Sequence, residues 1–211
     1  YVTAAKRLVN ADCAVDMLAG PTEVLIVAER GNARYIAADL IAQAEHDPDA
    51  VSFLVTTSSM LASEVRACVS EQLNALPPTN LARRALAENG ALLIAPHIRA
   101  AIRFANQFAP EHLSVPELNP ALVRQLSVAG SVFVGPWSAQ SVGDYASGTN
   151  HVLPTSGGAR SRGGLSTWDF VRCTTVQQLT RAGLRSVAPV VSELAQAEGL
   201  LAHQRAVEVR Q

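Results

Sequence analysis

The chain has 211 residues, 48% hydrophobic and 17% charged, with a formal net charge of −1. That is enough apolar material for one or two packed domains and too little charge for disorder, so the composition predicts a soluble globular protein. Lys and Arg are scattered, which excludes the basic stripe of a nucleic-acid binder and favours small partners, and no apolar run approaches the roughly 20 residues a spanning helix needs.

In chain order, Tyr1-Val-Thr-Ala-Ala-Lys-Arg has no initiator Met, no apolar signal core and no turn chemistry. It reads as a start inside a helix, and predicts a fragment or a separated half. Short β-branched runs at Val24–Ala28, Val51–Thr57, Ala91–Ala95 and Ser131–Gly135 are expected to be buried strands. Between them, Asn32–Glu45, Ser59–Leu76, His97–Gln107 and Asn119–Leu126 carry helical periodicity. His97, directly after Ala95-Pro96, is expected to start its helix.

This alternation predicts an α/β fold: a partial Rossmann-like parallel sheet with flanking helices, whose ligand site is expected near the carboxyl ends of the strands. Gly143–Gly164, crowded with Gly, Ser, Thr, Asn and Pro, is expected to be a functional loop. Thr175–Arg185, Pro189–Ala197 and Leu200–Arg210 read as short helices forming a small C-terminal appendage. The expected domains are therefore 23–165 and 166–211, preceded by a tail at 1–22. The cysteines Cys13, Cys68 and Cys173 are odd in number and widely spaced, against a disulfide framework or a Cys-x-x-Cys metal knuckle, and a reducing cytoplasm is the default.

Four segments could carry chemistry. Gln43 and His46 continue the helix face set by Ile36 and Leu40, and together offer a cation one oxygen and one nitrogen. The alternative is a helix C-terminal cap, with His46 near the negative end of the dipole. In Phe108-Ala-Pro-Glu111-His112-Leu113, a carboxylate and an imidazole side by side suit proton transfer near neutrality; a solvated surface turn is the alternative. Asp144 and His151 sit in a Gly-punctuated loop, where Asp144 could serve a divalent cation or merely form an Asx-turn. Glu198 and His203, where helical segments meet, read alone as a solvated face.

These segments resemble histidinol dehydrogenase. The likeness rests on Asp16-Met-Leu-Ala-Gly-Pro-Thr-Glu23, Gln43-Ala-Glu-His46, Phe108-Ala-Pro-Glu-His-Leu113, Gly143-Asp-Tyr-Ala-Ser-Gly-Thr-Asn-His-Val-Leu-Pro-Thr155 and Glu198-Gly-Leu-Leu-Ala-His203, which together span nearly the whole chain. The resemblance implies a zinc- and NAD-dependent oxidation of L-histidinol to L-histidine through the aldehyde, in histidine biosynthesis. It implies that Gln43, His46, Asp144 and His203 hold zinc and that Glu111 and His112 are the acid–base pair. Thr22, His151 and Glu198 would join them in holding substrate. It further implies a cytoplasmic homodimer in which the tail carrying Glu198 and His203 reaches the neighbouring subunit's site.

Two departures stand out. Thr22 replaces a Ser common in the family, keeping the hydroxyl, and Ser161-Arg162-Gly163 replaces a stretch that more often holds an aromatic and small hydroxyl residues. The resemblance makes residues 1–22 the tail of a nicotinamide-binding domain, and no Gly-x-Gly-x-x-Gly occurs here to replace that domain's site. The chain alone is therefore expected to be inactive. Competing readings are a related dehydrogenase of another amino or sulfonated alcohol, a non-catalytic zinc-binding subunit, and a zinc hydrolase using Glu111 to activate water.

Overall fold

Glu23–Ala28 (β1) is buried at every position, as a near-continuous apolar run must be when both faces of its sheet are covered. The computed structural model, which describes residues 1–211, pairs β1 in parallel with Val51–Thr56 (β2) on one side and His112–Val115 (β4) on the other. Gly90–Ile94 (β3) and Ser131–Val134 (β5) complete a five-stranded parallel sheet in the order β3-β2-β1-β4-β5. Histidine 112 thus opens a central strand, a segment too short and too interrupted by Pro110 and Glu111 for periodicity to have marked it.

Alternation along β1 splits the core in two. Leu25 and Val27 face Ala101, Ile102 and Ala105, while Val24, Ile26 and Ala28 face Ile36, Leu40, Leu61 and Val65. Each fully buried Leu, Ile or Val contributes about 1.5–3 kcal/mol relative to exposure. The covering helices are Ala33–Ala44 (α2), Ser59–Asn74 (α3), Ala82–Asn89 (α4) and Ile98–Phe108 (α5), after an N-terminal Val2–Val9 (α1). Side-chain caps fix several starts: Asn32 accepts from Arg34 N–H, Ser58 from Leu61 N–H and His97 from Ala100 N–H, satisfying amides that the first turn leaves free. Helix α4 falls in a stretch of which the sequence had suggested nothing. Pro120–Val123 (α6) is shorter than the expected Asn119–Leu126.

The segment expected as one long loop begins inside a helix, Gln140–Tyr145 (α7), and contains a 3-10 turn at Gly158–Arg160. A second turn, Thr167–Phe170, is tied back through Asp169, which accepts from Arg162 and from Ser166 N–H.

The chain divides into two compact units, 1–170 and 171–211. The second contains Arg181–Ala197 (α8) and Leu201–Glu208 (α9). Helix α8 runs straight through Pro189, where two short helices were expected, and Thr175–Thr180 is not helical. Gly199 at φ 72° ends α8, with Leu200 N–H donating to Ala195 O and Gly199 N–H to Gln196 O, the paired bonds of a Schellman stop.

Candidate active site

In a parallel sheet the crossover helices run back against the strands, so their C-termini return to the amino edge. The β1–β2 crossover α2 does so and brings Gln43 and His46 to that edge, where Thr22 precedes β1 and Glu111-His112 opens β4; α7, which follows the last strand, brings Asp144 to within 3.7 Å of His112. A cavity of about 290 Å³ lies there, lined by Thr22, His46, Glu111, His112, Asp144 and His151 together with Met17, Gly20, Leu153 and Thr155. This corrects the expectation of a site at the carboxyl ends of the strands: the polar residues sit on the segments that lead into the sheet. Two helix C-termini directed at the cavity add negative potential, which favours a cation.

Glu111 and His112 are 7% and 4% exposed, so the surface-turn alternative is overturned. Glu111 Oε2 accepts from the Thr22 hydroxyl at 2.6 Å and from Glu23 N–H at 2.9 Å. Gln43 Nε2 donates in turn to Thr22 Oγ1. The His112 ring places Nδ1 3.1 Å from the Glu23 carbonyl oxygen and 3.5 Å from Glu111 Oε2. A backbone carbonyl can only accept, so Nδ1 carries a proton, and in the neutral ring Nε2 keeps its lone pair. That Nε2 is buried without a hydrogen-bond partner, 3.7 Å from Asp144 Oδ1, and Phe133 stacks against the ring at 5.9 Å between centroids.

Burial works against charging His112, but the hydrogen bond and charge of Glu111, the Glu23 carbonyl and the Asp144 charge outweigh it and raise the imidazole pKa above its ordinary value. Asp144 Oδ1 also lies 3.1 Å from His151 Nδ1. His151 is exposed, whereas the Asp144 side chain is only 9% exposed.

Gln43 is 2% exposed, as its place on the inward face predicts, whereas His46 follows the end of α2 and is exposed at the cavity. Of the proposed zinc ligands in this unit, His46 and Asp144 line the cavity and Gln43 is one hydrogen bond behind Thr22. No three His, Cys, Asp or Glu side chains of the first unit form a ready cage. Its donors are one imidazole, one carboxylate and one amide, whose oxygen stays available because the nitrogen serves Thr22. Such a mixed nitrogen and oxygen set suits zinc with positions left for other ligands. Glu198 caps the C-terminus of α8 and His203 lies in α9, both exposed in the second unit.

Sequence reasoning gave no role to Glu23, although it closes a quoted motif. The available signal was an acid heading an apolar strand, where an unpaired charge would be costly. Thr155 was likewise passed over; its hydroxyl accepts from Gly20 N–H at 2.6 Å, joining the far end of the loop to the segment before β1.

The family model described as Histidinol dehydrogenase matches residues 1–211. The histidinol dehydrogenase of Vibrio cholerae is 50% identical over 215 residues, covering 100% of this chain and 50% of its own length. That of Bacillus cereus is 45% identical over 212 residues, covering 100% of this chain and 49% of its own. The crystal structure of histidinol dehydrogenase from Elizabethkingia anophelis superposes with a TM-score of 0.92 at 41% identity, over 100% of this chain and 49% of that one. The chain spans about half the length of the curated relatives it matches. With its full length matched, the chain belongs to the histidinol dehydrogenase family.

Proposed function

We propose that this chain carries the substrate-holding and proton-transfer half of an NAD-linked histidinol dehydrogenase, an oxidoreductase that converts L-histidinol to L-histidine through L-histidinaldehyde in the cytoplasm. The observation that carries the reading is the convergence of Thr22, His46, Glu111, His112, Asp144 and His151 on one cavity, from segments distant in the chain.

The geometry supports a division of labour. With Nδ1–H held by the Glu23 carbonyl, His112 Nε2 takes the hydroxyl proton of the alcohol as the carbon–hydrogen bond breaks and the hydride departs. Its raised basicity, due chiefly to Glu111 acting against burial, favours that transfer. The product aldehyde has no second hydride that can leave until water adds to it. Glu111 has one oxygen fixed by Thr22 and the Glu23 amide, which orients the other to take a proton from that water. Loss of the second hydride from the hydrate then yields the carboxylic acid.

Zinc, when bound by Gln43, His46, Asp144 and His203, supplies a Lewis-acidic anchor for substrate nitrogen. Asp144 meanwhile holds the His151 ring through Nδ1 and stands 3.7 Å from His112 Nε2, where its charge favours the protonated imidazole. The hydride acceptor is assigned to the part of the enzyme beyond this chain, since no Gly-x-Gly-x-x-Gly occurs here. In this reading the enzyme is a homodimer, with Glu198 and His203 serving the neighbouring subunit's site. The test is to join the chain to the remaining half of the family's length and follow NADH formation with L-histidinol. NADH production supports the reading, and none with active-site occupancy verified rejects the named substrate.

A further inference from the structure

Glu23 is a buried carboxylate, 7% exposed, that does not line the candidate cavity and forms no salt bridge, the Arg160 charge acting on it only through space. An isolated buried carboxylate is costly, so its hydrogen bonds indicate what it is kept for. Oε1 accepts from Ser156 N–H at 2.9 Å and Oε2 from Glu111 N–H at 3.3 Å. The same residue's amide donates to Glu111 Oε2 and its carbonyl meets His112 Nδ1. One side chain therefore joins the head of β1, the acid–base pair opening β4, and the loop that carries His151.

A second observation agrees. Ser156 is one of two non-glycine residues with positive φ, at 54°. That conformation costs on the order of 1–3 kcal/mol and persists only where neighbours impose it. The Glu23 oxygen accepts from the amide of this strained residue, and Ser156 lies beside Thr155, which holds Gly20. Burial pushes the Glu23 carboxyl above its ordinary value, with the Glu111 charge adding to it and the Ser156 and Glu111 amides and the Arg160 charge opposing.

We propose that Glu23 is a positioning residue: its carboxylate clamps the backbone of Glu111 and of Ser156, and so sets the distance between the acid–base pair and the loop bearing His151. It touches no substrate. The proposal rests on the function proposed above only for its kinetic consequence; the clamp itself is a property of this chain.

The test compares wild type with Glu23→Gln, which keeps size but turns one acceptor into a donor facing an amide, and with Glu23→Asp, which keeps charge on a shorter arm. Amide hydrogen exchange in the 211-residue chain is read first. Both variants should speed exchange at Ser156 and Glu111 by about tenfold or more, as loss of a charge-assisted bond predicts, and leave Ile26 in mid-β1 unchanged. In the assembled enzyme, Glu23→Gln should lower kcat about tenfold or more with KM within about threefold, as misplacement of a reacting group predicts, and Glu23→Asp should recover part of kcat. Unchanged exchange at Ser156 and Glu111 overturns the clamp, and a loss spread evenly through β1 assigns Glu23 to stability alone and equally overturns it. An inert wild-type enzyme would reject the histidinol reading, while the exchange pattern would still decide the clamp.

Discussion

The Nδ1 atom of His112 and the carbonyl oxygen of Glu23 lie 3.1 Å apart where β4 opens alongside β1. Because the acceptor is main chain, the tautomer is set by strand pairing, and the free Nε2 is delivered to the cavity by the fold itself. His112→Asn removes that base while leaving the sheet intact. A loss of roughly 10²–10⁴ in kcat is expected, the usual range for a general base, with an unchanged far-ultraviolet circular dichroism spectrum. A fully active variant would remove His112 from the chemistry.

The proposed task of Glu111 differs, and its Oε2 is committed to Thr22 and to the Glu23 amide. Glu111→Gln should slow aldehyde oxidation about tenfold more than alcohol oxidation, because only the second step needs water activated. Separate rate measurements starting from histidinol and from histidinaldehyde check this; equal losses would contradict distinct roles.

His46 reaches the cavity from beyond the end of α2, where the helix dipole favours positive charge. His46→Asn, or chelation of the wild-type enzyme, should weaken substrate binding by about 10–100-fold, the loss typical of a disturbed metal site. Calorimetric titration with L-histidinol tests it, and unchanged affinity would take zinc out of the account.

Much of the scaffold was legible because β-branched runs and helical periodicity are local signals. The five strands needed for a parallel sheet were marked except for β4, whose four residues follow Pro110 and Glu111 and include His112 and Ser114. Pro189 misled for the converse reason: helix breaking is a propensity, and the flanking turns of α8 override it. Residue types and neighbours singled out Glu111-His112 and Gln43/His46, but burial separates a proton relay from a surface turn, and burial is a tertiary property. The amino-edge location could not be read either, since it depends on strands being parallel and on two helix ends returning to one rim.

Asp39 offers a check on the electrostatics away from the site. Burial raises its carboxyl from the ordinary 3.8 to about 6. The folded protein therefore binds this proton more tightly than the unfolded chain, so stability falls as pH rises from about 3.8 to about 6 and the cost persists above that window. Asp39→Asn should abolish this dependence and stabilise the chain at pH 7 by about 1–2 kcal/mol after allowing for partial solvent exposure. Denaturant titrations at pH 4 and pH 7 compare the two; a variant less stable at pH 7 would show that the carboxylate has a favourable partner.

The central claim is that Gln43, His46, Asp144 and His203 share one ion beside Glu111 and His112. Anomalous diffraction at the zinc edge, from crystals of the assembled enzyme loaded with zinc, tests it most directly. A single peak at the cavity about 2.0–2.2 Å from the four side-chain donors is the predicted result. Stoichiometric zinc with its peak elsewhere, or a peak that His46 and Asp144 do not touch, would contradict the account.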